Sequence, residues 1–434
     1  ACAAGRPAAG VRAGQDAGRR RGDEGGGRMV RVALGTTAGP GRVSATGDWR
    51  LYDGGGRSVL VRGGAGDVWT VERQGSLMRA VRADGVPSVL REGPLVLRPV
   101  SAGALVAWNG RRYRGEIALH ATDGGILAVN RVAVEDYLRG VVPLEIGARS
   151  SAEHAAVEAQ AVAARSYTYV RLGAGPGDTR DARDARDARV ALGSGGATRP
   201  YDLLSTVDDQ VYGGADAERP VTDAAVAATA GEVITYAGRV VNAPYHSTCG
   251  GSTAEVAEVW WREPPEPYLK RVSDRIPGTA DRYYCDQSPR FRWTRSYDAA
   301  SLRATLERYL RTYASVPSGG IGSVRFVATT GTTPSGRAAG LRVETDRGGY
   351  LLRGNDVRYV LRTSGGEILN STYFSVEPVV GRDGHLSQLT IRGAGYGHGI
   401  GMCQWGAIGR ARAGQDYRTI LRTYYPGTAL GRAE

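Results

Sequence analysis

The stretch Ser150-Ser-Ala-Glu-His-Ala-Ala-Val-Glu-Ala-Gln-Ala-Val-Ala-Ala-Arg165-Ser-Tyr-Thr-Tyr-Val170 carries the strongest helical signal in this sequence. Ser150 followed three residues later by Glu153 forms a capping box, and the alanines behind it allow close packing against neighbours. Upstream the pattern differs. Short alternating runs such as Met29-Val-Arg-Val-Ala-Leu, Trp49-Arg-Leu-Tyr and Ser58-Val-Leu-Val, parted by turns like Gly54-Gly-Gly, predict antiparallel strands. Strands continue over 113–129 before the period changes. Downstream, a helix is expected over 222–230, strands over 232–243, a helix over 300–313 and strands with Gly turns over 320–379. A last helix over 416–425 is stopped by Pro426-Gly427.

The fold class is therefore mixed α+β and strand-rich: a small N-terminal β-rich domain (28–110) followed by a larger domain (111–434) built around the long Ala-rich helix. Residues 1–27 are rich in Gly, Ala and Arg without an apolar period, and read as a disordered tether. The Asp-Ala-Arg repeat over 181–189 reads as part of a solvated insertion loop at 172–200.

Composition narrows the function classes. The net charge is +12, with Lys270 the only lysine, so the surface attracts polyanions such as nucleic acid, anionic headgroups or acidic wall polymers. No clustered basic helix, zinc finger or aromatic-basic platform accompanies that charge, which argues against nucleic acid. Tyr (22) and Trp (7) far outnumber Phe (3); such rings suit sugar stacking or half-buried places in sheets. No run of about 18 apolar residues is present to cross a membrane. The opening Ala1-Cys2-Ala-Ala reads as a processed N-terminus, either that of a lipoprotein acylated at Cys2 or a trimming boundary.

Three segments have compositions that plain packing does not require. In Tyr137-Leu-Arg-Gly-Val-Val-Pro-Leu-Glu145-Ile-Gly, Glu145 sits in an apolar turn close to the start of the long helix. Burial raises a carboxyl's pKa and a helix N-terminus lowers it. Glu145 is thus a general acid if burial dominates, or otherwise a hydrogen-bond acceptor for the turn.

The second segment is Tyr245-His246-Ser-Thr-Cys249-Gly-Gly, followed by Glu255, Glu258, Trp260, Trp261 and the distant Cys285. His246, Cys249 and Cys285 are soft ligands that could hold a structural zinc, but a fourth ligand is lacking. A Cys249–Cys285 disulfide is the preferred reading in an exported protein, and no cofactor is required. The third segment is Gly393-Ala-Gly-Tyr-Gly-His398-Gly-Ile-Gly-Met-Cys403-Gln404-Trp405-Gly406. Its glycines bring backbone close to a ligand or another strand, and His398 and Gln404 either face a cleft or are structural. A Cys403/His398 nucleophile pair lacks an oxyanion-hole signature.

Together these segments resemble the SpoIID/LytB family, named for the stage II sporulation protein D and the amidase enhancer. The family's "EDYLxGVVxxEMP", a strand end, appears as Glu135-Asp-Tyr-Leu-Arg-Gly-Val-Val-Pro-Leu-Glu145-Ile, and "EALKAQAVAARTYA" as Val157-Glu-Ala-Gln-Ala-Val-Ala-Ala-Arg165-Ser-Tyr167. "QVYxG" matches Gln210-Val-Tyr212-Gly-Gly, "HSTSGGxT" matches His246-Ser247-Thr248-Cys-Gly-Gly-Ser-Thr253, and "PYLKxV" matches Pro267-Tyr-Leu-Lys-Arg-Val. "GHGVGMSQYGA" matches Gly397-His398-Gly-Ile-Gly-Met-Cys-Gln404-Trp405-Gly-Ala407, and "YYPGT" begins at Tyr424.

The resemblance implies an exported, cell-envelope lytic transglycosylase acting on peptidoglycan glycan strands poor in stem peptides, with Glu145 as sole acid/base. An ordinary glycosidase needs two carboxylates, whereas a lytic enzyme lets the sugar's C6 hydroxyl attack and leaves 1,6-anhydro ends. The resemblance also assigns substrate positioning to Arg165, Tyr167, Gln210, Tyr212, His246, Ser247, Thr248, Trp260, His398, Gln404 and Trp405. The amidase-enhancer branch implies the rival, a non-catalytic wall-binding modulator of an amidase. A metal-dependent hydrolase lacks a credible ligand set. The chain departs from the family at Ile146-Gly147, where Met-Pro is usual, and at Cys249 and Cys403, where Ser is common.

Overall fold

The computed structural model describes residues 27–173 and 199–433, apart from residues 55, 57 and 148. The expected tether, with Cys2, and nearly all of the 172–200 insertion lie outside the described residues.

Strands from residues 29–133, joined by Leu203–Leu204, build two sheets. One has seven strands, in the order Leu203–Leu204, Met29–Thr37, Gly125–Ala133, Glu116–Thr122, Leu95–Pro99, Trp49–Tyr52 and Val59–Gly63. The other has six, in the order Arg111–Tyr113, Val106–Trp108, Gly41–Ala45, Trp69–Gln74, Leu77–Val81 and Arg91–Glu92. Strand Gly125–Ala133 is buried at its first six consecutive positions, so it is covered on both faces. The first sheet joins residues 29–37 to residues 116–133.

Strand Gly125–Ala133 runs straight into α1 (Val134–Glu145). The Glu135–Glu145 segment, expected from the resemblance to end a strand, is thus helical. Pro143 falls in its last turn, where its missing N–H and its ring clash with residue 139's carbonyl work against continuing the helix. Gly147 follows with φ of 80°, a backbone that L side chains rarely adopt.

The Ala-rich segment is α2 (His154–Gly173), with Ala156, Ala159, Ala161, Ala163 and Ala164 fully buried. A helix buried nearly all round has small residues on every side because neighbours approach from every side. Those neighbours are α1, α3 (Pro220–Ala228) and the strand Glu232–Tyr236, and two further helices from the end of the chain. Arg165, with no exposed surface, ties three of them together. It is paired with Glu135 at 2.7 Å and donates to the carbonyls of Val226 and Glu232 at 3.3 and 3.0 Å.

The chain stays with this core through α4 (Val256–Val259) and on to Phe291, and then forms a second one. α5 (Ala299–Tyr309), α6 (Asp356–Val360) and two three-stranded sheets enclose residues between Tyr297 and Ile391. It then returns through the Gly-rich segment. Strand Met402–Cys403 pairs in parallel with Tyr245–His246, and α7 (Gln404–Arg412) and α8 (Tyr417–Tyr424) close the first core. No described helix is long and apolar enough to cross a membrane.

Candidate active site

Glu145 is the last residue of α1, so its carboxyl lies at the helix's carbonyl end. That is the negative end of the macrodipole, which opposes ionisation. The expectation of a nearby helix N-terminus pulling the pKa down is corrected here: α2 begins only after an intervening turn, and Glu145 belongs to the preceding helix. Burial, partly offset by hydrogen bonds from the Val211 amide and the Gln404 side chain, pushes the Glu145 carboxyl up to about 7. The Val211 N–H donates to Oε1 at 2.8 Å. Both of these donors are neutral groups, which hold the carboxyl in place without locking it in the charged form.

Behind Glu145 lies a buried polar network. Gln210, with no exposed surface, accepts at Oε1 from the Tyr137 hydroxyl (3.2 Å) and the Thr168 hydroxyl (3.0 Å), and donates from Nε2 to the Tyr245 hydroxyl (2.9 Å). With its amide saturated, Gln210 presents Val211 to Glu145. Tyr245's phenol is pushed well up, by burial first and then by the Glu145 charge, and so stays protonated. On the other side, the Gln404 amide donates to Gln160 Oε1 at 3.2 Å, anchoring α7 to α2.

The rim of the site comes from the two parallel strands and the loops around them. Trp405 donates its backbone N–H to the Ser247 carbonyl at 3.0 Å, and the Arg149 guanidinium lies 5.2 Å from the Trp405 ring. His398 donates from Nε2 to the Tyr245 carbonyl at 2.8 Å, while its Nδ1 accepts from the Ile400 amide at 3.1 Å. Those partners define the neutral tautomer and use both ring nitrogens. The ring lies 5.0 Å from that of Trp260, the two planes tilted by 35°. Glycines make this packing feasible: a Cβ on Gly401 would sit 2.0 Å from the Pro244 carbonyl oxygen, and one on Gly399 would strike Arg337.

Several residues expected to touch substrate are buried supports. Arg165 and Gln210 have no exposed surface, and Tyr212 (3% exposed) donates its hydroxyl to Asn130. Thr248 is buried against Ser288 at 2.7 Å, and His246 is buried with Nδ1 3.1 Å from the Ile400 carbonyl. Each of these side chains faces the core. Tyr167 is half-buried, but its hydroxyl is committed to Asp209 at 2.8 Å. Glu145, Ser247, Trp260, His398 and Trp405 keep some exposed surface, and Gln404 reaches Glu145 from below.

The expected Cys249–Cys285 disulfide is corrected as well: Cys249, Cys285 and Cys403 are free thiols, with the Cys249 and Cys285 sulfurs 3.5 Å apart. Cys403 comes to the same place because the strand pair 245–246 and 402–403 is parallel. His246 is not among the residues whose donor atoms converge there; Asp274 is, and no sequence spacing pointed to it.

The chain matches the family model described as "Stage II sporulation protein" over residues 122–236. A second model, a domain of unknown function, matches residues 254–401. The chain is 33% identical over 319 residues to the amidase enhancer of Bacillus subtilis, covering 68% of this chain and 40% of that protein. It is 30% identical over 323 residues to the stage II sporulation protein D of the same organism, covering 71% and 77%. An uncharacterised protein of Brachyspira hyodysenteriae is 27% identical over 323 residues, covering 74% and 73%.

Proposed function

This chain belongs to the stage II sporulation protein D family, and from that premise we propose that it is a lytic transglycosylase cutting peptidoglycan glycan strands, with Glu145 as its single acid/base. The observation that carries the reading is a carboxyl whose hydrogen-bond donors are neutral and whose pKa lies near 7. Such a group holds a proton at neutral pH and can take one back later in the same turnover. Glu145 protonates the bridging oxygen as the glycosidic bond breaks. The resulting carboxylate then accepts the proton of the C6 hydroxyl as that oxygen closes on C1 to give the 1,6-anhydro sugar.

No second carboxylate is needed, and the nearby Asp209 is occupied: its oxygens accept from the Tyr167 hydroxyl and the Leu204 amide. Trp405, Trp260 and the His398 ring supply flat faces for sugar rings beside Glu145. The net charge of +12 favours approach to an acidic wall polymer. Such a substrate calls for a protein outside the cytoplasm, in the cell envelope.

The test is mass spectrometry of products from intact and amidase-treated peptidoglycan, using the wild type and Glu145→Gln. New 1,6-anhydro-muramyl ends from the wild type alone are the expected result. Binding without new ends from either substrate overturns the enzyme reading. It would favour the second one, a wall-bound modulator of an amidase, which the similarity to the amidase enhancer supports.

A further inference from the structure

Three loops far apart in sequence bring four ligating side chains to one buried point. Cys249 lies in the loop after strand Tyr245–His246, Asp274 and Cys285 lie in the irregular stretch between α4 and the strand Arg292–Asp298, and Cys403 is the N-cap of α7. All four are buried, and their ligand atoms lie within 4.8 Å of one another. We propose that Cys249, Cys285, Cys403 and Asp274 form a closed, four-ligand site for a divalent zinc ion that fixes the floor of the cleft.

The distances suit a metal better than a sulfur–sulfur bond. Cys249 and Cys285 sulfurs stand 3.5 Å apart, against about 2.05 Å for a disulfide. Two thiolates on a tetrahedral zinc, each at about 2.3 Å, are about 3.8 Å apart. Asp274 Oδ2 lies 3.4 Å from the Cys249 sulfur, as neighbouring ligands on one ion would. A disulfide would also leave the third thiol and the carboxyl facing it in a dry pocket without a shared purpose.

The surroundings are those of a thiolate site. The Cys403 sulfur accepts from the amides of Cys249 (3.1 Å) and Gly406 (3.2 Å), the latter at the N-terminus of α7, where negative charge is favoured. The Cys249 sulfur accepts from the Gly251 amide at 3.4 Å. Asp274's other oxygen, Oδ1, is held by the Tyr424 hydroxyl at 2.6 Å and by Arg410 at 3.1 Å. This orients Oδ2 toward the sulfurs and offsets the anionic charge of three thiolates and a carboxylate, as outer partners do at metal sites. Zinc binding displaces the three thiol protons to solvent, and no oxidant or reductant is involved.

The site's consequence lies one residue away. Cys403 is followed directly by Gln404, which bonds Glu145, and by Trp405, which forms the rim. The ion therefore acts as a positioning element and takes no part in the reaction. The inference does not depend on the proposed activity.

The test uses the full chain purified without added metal, chelator or reductant. Elemental analysis is expected to find close to one zinc per chain. A mercurial thiol reagent should release that zinc into a dye assay in step with thiol modification. Cobalt replacement should give the thiolate-to-cobalt absorption and the visible bands of a tetrahedral site. Chelator at elevated temperature should lower the unfolding midpoint, and zinc should restore it.

Cys285→Ser should bind zinc at least tenfold more weakly. If that variant does not fold, the mercurial release and cobalt spectrum of the wild type still decide the matter. A metal-free chain with an unchanged midpoint after zinc addition overturns the proposal, and so does a Cys249–Cys285 disulfide in non-reducing peptide maps. Zinc without 1,6-anhydro products would leave the metal site standing and remove only the catalytic reading.

Discussion

Glu145 and Glu153 stand eight residues apart on either side of one turn, and their carboxyls are driven in opposite directions. Glu145 ends α1 and meets neutral donors, and burial takes it up to about 7. Burial would also raise Glu153, but the Arg412 guanidinium, the Ser150 amide and the more distant Arg149 outweigh it and hold the group below its ordinary range. Glu153 lies in the first turn leading into α2, the end that favours a negative charge. The comparison separates a carboxyl that builds structure from one that can exchange a proton. A guanidinium commits the group to its charged form, whereas amide donors position it and leave it free to titrate.

The sharpest way to break the comparison is to remove each carboxyl in turn. Under the proposed mechanism, in which one group serves as both acid and base, Glu145→Gln should lower the release of anhydro ends by about 10³-fold or more, roughly 4 kcal/mol of barrier. Glu153→Gln should cost no more than a few-fold in the same assay. Its effect belongs in stability, on the order of 1–3 kcal/mol by denaturant unfolding, since the change strips Arg412 of a partner whose side chain is only 8% exposed.

Stability against pH should separate the pair next. A carboxyl raised in the folded state favours folding most below its unfolded value, near 4.3, and loses that contribution as pH rises through about 7. Glu145→Gln should therefore be more stable than the wild type by about 2 kcal/mol at pH 8 and no more stable at pH 4. Glu153 is lowered, so its contribution is present above its unfolded value and disappears as pH falls through the folded value. Glu153→Gln should thus lose most at neutral pH and least in acid.

Two smaller effects sharpen the same contrast. The rate of chain cleavage should fall as pH rises through about 7, as Glu145 loses the proton it must donate. Gln404→Leu removes a hydrogen bond that favours the carboxylate, so it should move that limb to higher pH, by up to about one unit. If the partly exposed Trp405 ring stacks on a sugar as proposed, Trp405→Ala should raise KM several-fold with little change in unfolding midpoint or in the position of the limb.

Much of the site was legible in motif spacing. Glu145, Gln210, His246, His398, Gln404 and Trp405 all stand out as polar or aromatic residues in apolar or Gly-rich surroundings, and the structure brings their segments together. Their roles were less legible. Gln210 and Tyr212 carry polar groups that sequence alone cannot assign to substrate or core, and both point inward. Arg165 looks like a residue for an anionic ligand, yet it is an entirely buried link between Glu135 and two backbone carbonyls. The missing signal was the partner: Glu135 lies 30 residues away on another helix.

What the sequence determined alone was local: the Ser150/Glu153 cap, the Ala-rich helix behind it, and the alternation that makes strands of residues 29–133. These follow from backbone sterics and from periodicities of two or 3.6, which need no knowledge of distant residues. Tertiary structure decided that Glu145 lies at a helix's negative end, that Gln404 reaches it from the far end of the chain, and that Asp274 joins three cysteines at one point. Electrostatic environment and ligand geometry depend on distances of a few ångströms between groups tens to hundreds of residues apart, and only the folded core fixes those distances.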